Sequence, residues 1–471
     1  MTDEDVSLWA VSAVDGRYQE LLKDFGLRFS EGALILTRIR VELLWLRHLV
    51  LLAQSGTLNI GWRPSAQDLL LIDSALEDDF RSAPGMVKKI EDNIKHDVKA
   101  VEYFLRQYLK NKGLGESSLA MIHVPCTSED INNLAYALMF QEIQRVDILP
   151  SCQSVLLCLA EGAEKNAGMA MLSRTHGQSA SATTLGKELA VFGHRLERKI
   201  QEIQAVIFDG KINGAVGNFN AHYLICPDAD WQMIARSFVE TLGLRWNPLT
   251  TQIESHDGLV RWCHLLAEYQ AISLDLVRDL WAYISLGYFR QAVRDQEVGS
   301  STMPHKVNPI HFENAEGNFG ISSAMATHFA GKLPVSRWQR DLSDSTVLRA
   351  FGEMLGHFLI AQKSLLKGLS RIDPDQERIL QDLTSCDHLL AEPFQMALRT
   401  IGICDAYEEL KALSRGRKVC AEDFHALLVR YPDLSPDLSE RLKKLTAQSY
   451  TGIAKELAIQ FAHETFSRYR A

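Results

Sequence analysis

The chain has 471 residues, 46% of them hydrophobic and 23% charged, which excludes a disordered polypeptide and allows two or three cored domains. Its formal charge of −9 disfavours a nucleic-acid partner, whose binding would rest on neutralising phosphates. Eight dispersed cysteines without a C-x-x-C pair write neither a zinc knuckle nor a redox motif, and read as buried reduced thiols.

The N-terminus, MTDEDVSLWA, is acidic where a signal peptide would be basic and then apolar. The most apolar early run, 41–53, is interrupted by Glu42, Arg47 and His48, so a cytoplasmic chain without a membrane span is expected. Residues 1–116 read as an N-terminal helical domain, broken by Pro64, Pro84 and a glycine-containing linker at 111–117. Within it KHDVKAVEY, 95–103, sets His96 and Asp97 behind Lys95 and continues as a helix.

Residues 117–369 read as a central domain of long helices, because proline is absent between Pro150 and Pro227, Pro248 and Pro304, and Pro334 and Pro374. TSEDINN, 127–133, has the form of a helix start in which Thr127 or Ser128 can cap and Asp130 lies near the first turn. Capping explains most of that string, although free N–H groups at a helix start also bind anions. SRTHGQ, 173–178, reads as the end of a helix-like run, with His176 either a satisfied cap or a functional group. The helix expected over 184–208 contains Gly186 and Gly193, which suggests close helix packing.

KINGAVGNFNAH, 211–222, and TQIESHD, 251–257, read as turns, the first with a short extended piece at 217–222. From 259 to 289 the apolar residues Leu259, Cys263, Leu266, Tyr269, Ile272, Leu276, Leu280 and Ile284 trace one face of a long helix. GSSTMPHKVNP, 299–309, is a loop, since two prolines, paired serines and an asparagine do not share a helix. It concentrates hydroxyls, an imidazole, an ammonium and an amide, and so can close over an anion. LPVSRWQRDLSDSTVLR, 333–349, spaces Arg337, Arg340, Ser345, Thr346 and Arg349 as a helix would. That set suits phosphate or carboxylate recognition, or else a salt-bridged surface. Residues 370–471 form a C-terminal helical section with a basic group at Arg415, Arg417 and Lys418. The fold class expected is all-α. No phosphate-binding loop, dinucleotide fingerprint, H-E-x-x-H or G-x-S-x-G is present.

Taken together, GSSTMPHKVNP, SRTHGQ, KHDVKAVEY, TSEDINN, KINGAVGN, SRWQRDLSDSTVLR and the Val14-Asp15-Gly16-Arg17-Tyr18 run resemble the fumarase/aspartase superfamily. Within it, His305 and the other motifs are similar to the bacterial adenylosuccinate lyase family. The resemblance covers nearly the whole chain. It implies a homotetramer with a multi-helix core, no metal or redox cofactor, and elimination of fumarate from adenylosuccinate and from the succinyl-carboxamide ribotide SAICAR.

The same resemblance implies Ser300 as general base, His176 as general acid and His96 as its support. Lys306 and Asn308, with Thr127, Ser128 and Gln252, would hold the succinyl carboxylates, while Arg17, Tyr18, Arg340, Ser345 and Arg349 would hold phosphate and ribose. Further contacts are implied for Lys95, Asp97, Ser301, Asn314, Thr346, Val347 and Leu348. Two positions depart from the pattern: Lys95 stands where relatives often have Asn, and Ser179 where they often have Pro. The rival readings are a sibling lyase acting on argininosuccinate, malate or a carboxymuconate, and a silent helical scaffold.

Overall fold

The computed structural model describes residues 8–292, 303, 306–415 and 419–470. Helices dominate, and the strands form three two-stranded pairs. The all-α expectation therefore holds. The chain gathers into two compact units, each built from discontinuous stretches: 1–151, 199–271 and 317–361 in one, 152–198, 272–316 and 362–471 in the other.

In the first unit the 24-residue helix Glu31–Gln54 starts where Ser30 Oγ accepts the Ala33 N–H. It is buried on nearly every side, as expected of a helix whose apolar residues are not confined to one stripe. Its two fully buried charges are both partnered: Glu42 with His123 Nδ1 at 2.6 Å, and Arg38 with Asn132 and Asp97. His48, on the same helix, is held neutral to about pH 4 by burial. The core beside it is aromatic, with Phe140 lying 4.9 Å from Phe351 and 5.7 Å from Trp262 between ring centroids.

The helix start expected at TSEDINN is found, as Ser128–Ile143 with Thr127 at the N-cap. It runs through a π-helical turn, Gln144–Ile148, into Leu149–Lys165. Pro150 thus lies inside a helix rather than ending one, and the π turn directly before it relieves the ladder that proline interrupts. The stretch Ser128–Lys165 is long and apolar enough to cross a bilayer by composition alone. Its first turns, however, bury Glu129, Asp130, Asn132 and Asn133 in hydrogen bonds, as a core helix does.

In the second unit the helix Leu185–Gln204 begins within one residue of expectation, and its early turns show why glycine is needed. A Cβ on Gly186 would lie 2.4 Å from Ala163 O, and one on Gly193 would lie 2.3 Å from the Phe461 ring. The C-terminal helices pack Leu383, Leu390, Phe394, Leu398 and Phe424 around Ala170 and Leu172.

Four expectations are corrected. SRTHGQ ends no helix: Ala170–Thr175 and Gln178–Thr184 form an antiparallel hairpin. Residues 217–222 are a turn and a helix start rather than an extended piece, because Gly217 and Phe219 both have positive φ. Of 333–349 only Ser343–Arg349 is helical; Pro334 and the left-handed Trp338 keep the rest irregular. None of the eight cysteines forms a disulfide, but Cys126 and Cys158 are only half-buried and Cys404 and Cys420 are exposed. Arg417 and Lys418 lie outside the described residues.

Candidate active site

Four of the polar strings meet in the first unit. The buried Asp130 carboxylate accepts the N–H groups of Thr127 at 2.8 Å, Asn213 at 3.0 Å and Gly214 at 3.0 Å, and pairs with Lys211 Nζ at 2.9 Å. Both partners of that ion pair are 0% exposed. Asn133 completes the joint by accepting the Lys211 N–H and donating to Lys211 O. KINGAVGN is therefore fastened to the start of the TSEDINN helix.

From that loop, Asn213 Nδ2 donates to Thr250 Oγ1 and Ala215 O accepts from Gln252 Nε2, both at 2.8 Å. This fixes the orientation of the Gln252 amide, whose oxygen accepts from Arg340 Nη1 at 3.0 Å. Arg340 also pairs with Glu129 at 2.8 Å. Burial pushes the Glu129 carboxyl up, against the pull of Arg340. His256, buried and left-handed, lies 3.9 Å from Glu254 and 3.8 Å from Asp344, ion-pair rather than hydrogen-bond distances. Burial alone would raise Asp344, but His256, the Ser345 N–H and the Arg340 charge together hold the carboxyl low.

A second cluster forms around Asp97. Its Oδ2 accepts from Arg38 Nη2 at 2.9 Å and from Arg349 Nη2 at 3.1 Å. Burial works against this carboxylate, yet the Arg38 and Arg349 charges and the Val98 N–H keep it below the usual range. Arg349 further donates to Ser345 and Glu31. The guanidinium is thereby aimed by three groups while 37% of the side chain stays exposed. It borders a cavity of about 620 Å³ that is apolar at Val14, Phe25 and Phe29 and polar at Asp15, Gln19 and Glu31. The volume suits a nucleotide-sized ligand. Tyr136, on the same wall, buries a hydroxyl without a hydrogen-bond partner among the described residues, and burial pushes it up to about 12.

Arg17 and Tyr18 lie just before the helix Gln19–Gly26, the guanidinium 6.0 Å from the ring. His96 caps the helix Asp97–Asn111, its Nδ1 accepting the Lys99 N–H at 3.2 Å, and is exposed. Lys95 before it is left-handed, with φ 57°. Thr127 and Ser128 are half-buried, Thr346 is exposed, Val347 is half-buried and Leu348 faces inward.

In the second unit His176 and Gly177 are the two central residues of the hairpin turn, with φ 53° and 74°. Two positive φ values in a two-residue turn match the twist of the strands and project the imidazole outward. The hairpin is held at its base by Ala170 and Leu172 in the core, and near its tip by Arg174, which shares Asp382 with Tyr288. Lys306 and Asn308 lead into the helix Ile310–Lys332, and Val307 O accepts from Gln291 at 2.9 Å. Lys306 is exposed; Asn314 accepts from Ser364 at 2.7 Å. Ser300 and Ser301, with His305, lie outside the described residues.

Sequence reasoning passed over Arg38, Glu31, Glu129 and the Asp130–Lys211 pair as working parts of this site. Arg38 had a readable signal, a charge in the middle of an apolar helix. The others look like caps and solvated charges until their distant partners are known.

Residues 23–321 match the lyase family and 336–451 the adenylosuccinate lyase C-terminal family. An adenylosuccinate lyase of Haemophilus influenzae is 43% identical over 96% of this chain and 98% of its own length. Those of Vibrio cholerae and Escherichia coli K12 are 44% and 42% identical, over 96% and 95% of this chain and 98% and 97% of their own. Among solved structures, a fumarate lyase from Mesorhizobium superposes with a TM-score of 0.72 at 18% identity, covering 93% of this chain and 96% of that one. A 3-carboxy-cis,cis-muconate lactonizing enzyme from Pseudomonas putida gives 0.69 at 20%, covering 92% and 95%.

Proposed function

The chain belongs to the adenylosuccinate lyase family, and on that premise we propose that it cleaves adenylosuccinate to AMP and fumarate, and SAICAR to AICAR and fumarate. The observation that carries this reading is identity of 42–44% over at least 95% of the chain to named adenylosuccinate lyases. The fumarate lyase and the muconate lactonizing enzyme named above are 18% and 20% identical to it.

In this β-elimination a base removes the proton from the carbon beside one carboxylate while an acid protonates the departing nitrogen. The C–N bond breaks, the carbon–carbon double bond of fumarate forms, and no water or redox partner is consumed. The hard step is the carbanion, whose charge spreads onto the neighbouring carboxylate. Lys306 and Asn308, with Thr127, Ser128 and Gln252, would stabilise it, since preorganised donors act most strongly where charge develops.

Ser300 would be the base. A serine is a poor base at its free pKa and needs donors and exclusion of water, which suits a loop that closes after substrate has entered. His176 would be the acid, supported by His96. An imidazole titrates close enough to neutral pH to give up a proton there. Arg349, aimed by Asp97, Ser345 and Glu31 at the edge of the 620 Å³ cavity, supports a phosphate-binding role for itself. Arg17, Tyr18 and Arg340 would share that work.

The active form would be a cytoplasmic homotetramer. Light scattering should give the mass of four 53.0 kDa chains, and the mass of one chain in active enzyme would contradict it. The decisive assay offers adenylosuccinate, SAICAR, argininosuccinate, malate and 3-carboxymuconate in turn. Equal amounts of AMP and fumarate from the first are expected. Turnover of argininosuccinate, malate or the muconate instead, or of none of the five, would overturn the reading.

A further inference from the structure

We propose that Asp130 and Lys211 form a positioning pair that sets the substrate-facing Gln252–Arg340 contact through the 211–218 loop; this rests on the function proposed above. The argument starts from burial. Two charges taken wholly out of water lose their hydration, and their mutual attraction regains it only with good geometry and further hydrogen bonds. Here both are 0% exposed and 2.9 Å apart, and three backbone N–H groups saturate the carboxylate. A buried ion pair is by itself weak evidence for stability, and a hydrophobic pair often serves as well. What such a pair could not do is hold N–H groups from two separate segments on one carboxylate, which defines where those segments lie.

The loop so fixed has little freedom left. A Cβ on Gly217 would lie 2.1 Å from Thr250 O, so the loop backbone rests directly on the 250–251 backbone. Asn213 and Ala215 then reach Thr250 and Gln252, and Gln252 reaches Arg340. Arg340 returns to Glu129, the neighbour of Asp130, and closes the ring. Displacing Lys211 therefore moves the donor surface that Gln252 and Arg340 present, although neither member of the pair is exposed to ligand.

The charge-neutral double variant D130N/K211M avoids leaving one buried charge alone. Its KM for adenylosuccinate should rise at least tenfold while kcat changes less than threefold, because binding is lost about equally in the ground and transition states. A purely structural role would lower the active fraction, hence apparent kcat, and leave KM unchanged; that result overturns the proposal. Should the double variant not fold, N213A cuts the same route one step later. It should raise KM about threefold, and combined with Q252A it should add little further. Full additivity of N213A and Q252A sinks the idea.

Amide hydrogen exchange gives a readout that needs no substrate. Faster exchange confined to 211–218 and 250–252 in N213A supports the route, whereas unchanged exchange there contradicts it. Wild-type enzyme inactive on adenylosuccinate would remove the functional premise and leave the exchange result to judge the positioning by itself.

Discussion

Two histidines mark the contrast between the two units. His222, in the first unit, is buried beside Gly214 with no partner for either ring nitrogen among the described residues, and burial holds it neutral to about pH 4. His176, in the second, stands exposed on a two-residue turn. In the first unit Asp130, whose charge His222 feels, is fastened to Lys211, and Glu129 to Arg340. Around His176 the fastening is confined to the hairpin's base and flank, where Arg174 and Tyr288 converge on Asp382. The arginines proposed for recognition are each held by several partners, whereas His176, proposed for chemistry, stands out on a turn.

The largest expected effects test the groups proposed for chemistry. Ser300→Ala should lose about 10³-fold or more in kcat with adenylosuccinate binding intact, and His176→Ala about 10²–10⁴-fold, the usual worth of a general acid. Calorimetric titration with substrate separates this from lost binding. Turnover within tenfold of wild type in either variant would detach that residue from the chemistry.

The groups held by several partners should answer in binding rather than turnover. Arg349→Met removes charge-assisted hydrogen bonds worth about 1.5–3 kcal/mol, so kcat/KM should fall roughly 10- to 150-fold, carried by KM. If kcat fell and KM held, Arg349 would belong to the reacting centre instead.

Acid should also find the buried region first. A histidine whose folded pKa is depressed contributes stability that is complete above its ordinary value of 6.5 and lost as pH falls through about 4, since the unfolded chain takes up the proton first. His222 and His48 both have this sign, each worth up to about 3 kcal/mol by the span of the shift. Unfolding by denaturant at pH 7 and pH 4.5 should show the loss, and His222→Leu should shrink it. An equal loss in that variant would acquit His222.

The smallest effect concerns backbone alone. Lys95 adopts the left-handed conformation, which costs a lysine more than an asparagine. Lys95→Asn should raise stability by roughly 0.5 kcal/mol, read as a small rise in Tm. A fall in stability would mean that the lysine side chain contributes more than its backbone costs.

Some of this was legible beforehand. The helix start at Thr127, the helical continuation after His96 and the crowding around Gly186 and Gly193 followed from caps, periodicity and glycine placement, all local effects. The hairpin around His176 was not, because its first strand buries Ala170, Met171 and Leu172 in succession and shows no alternation. Its turn also needs a non-glycine residue in the left-handed region, which no simple rule assigns to histidine.

By itself the sequence determined the helical class, the lyase resemblance and the roster of reactive side chains, because these rest on patterns a few residues long. Only the tertiary structure decided that Arg349 would share Asp97, 252 positions away, with Arg38, and that Asp130 would pair its charge with Lys211 rather than with a ligand. Partner choice among charges is made by which surfaces packing brings together and dries, and no local pattern in the chain encodes that.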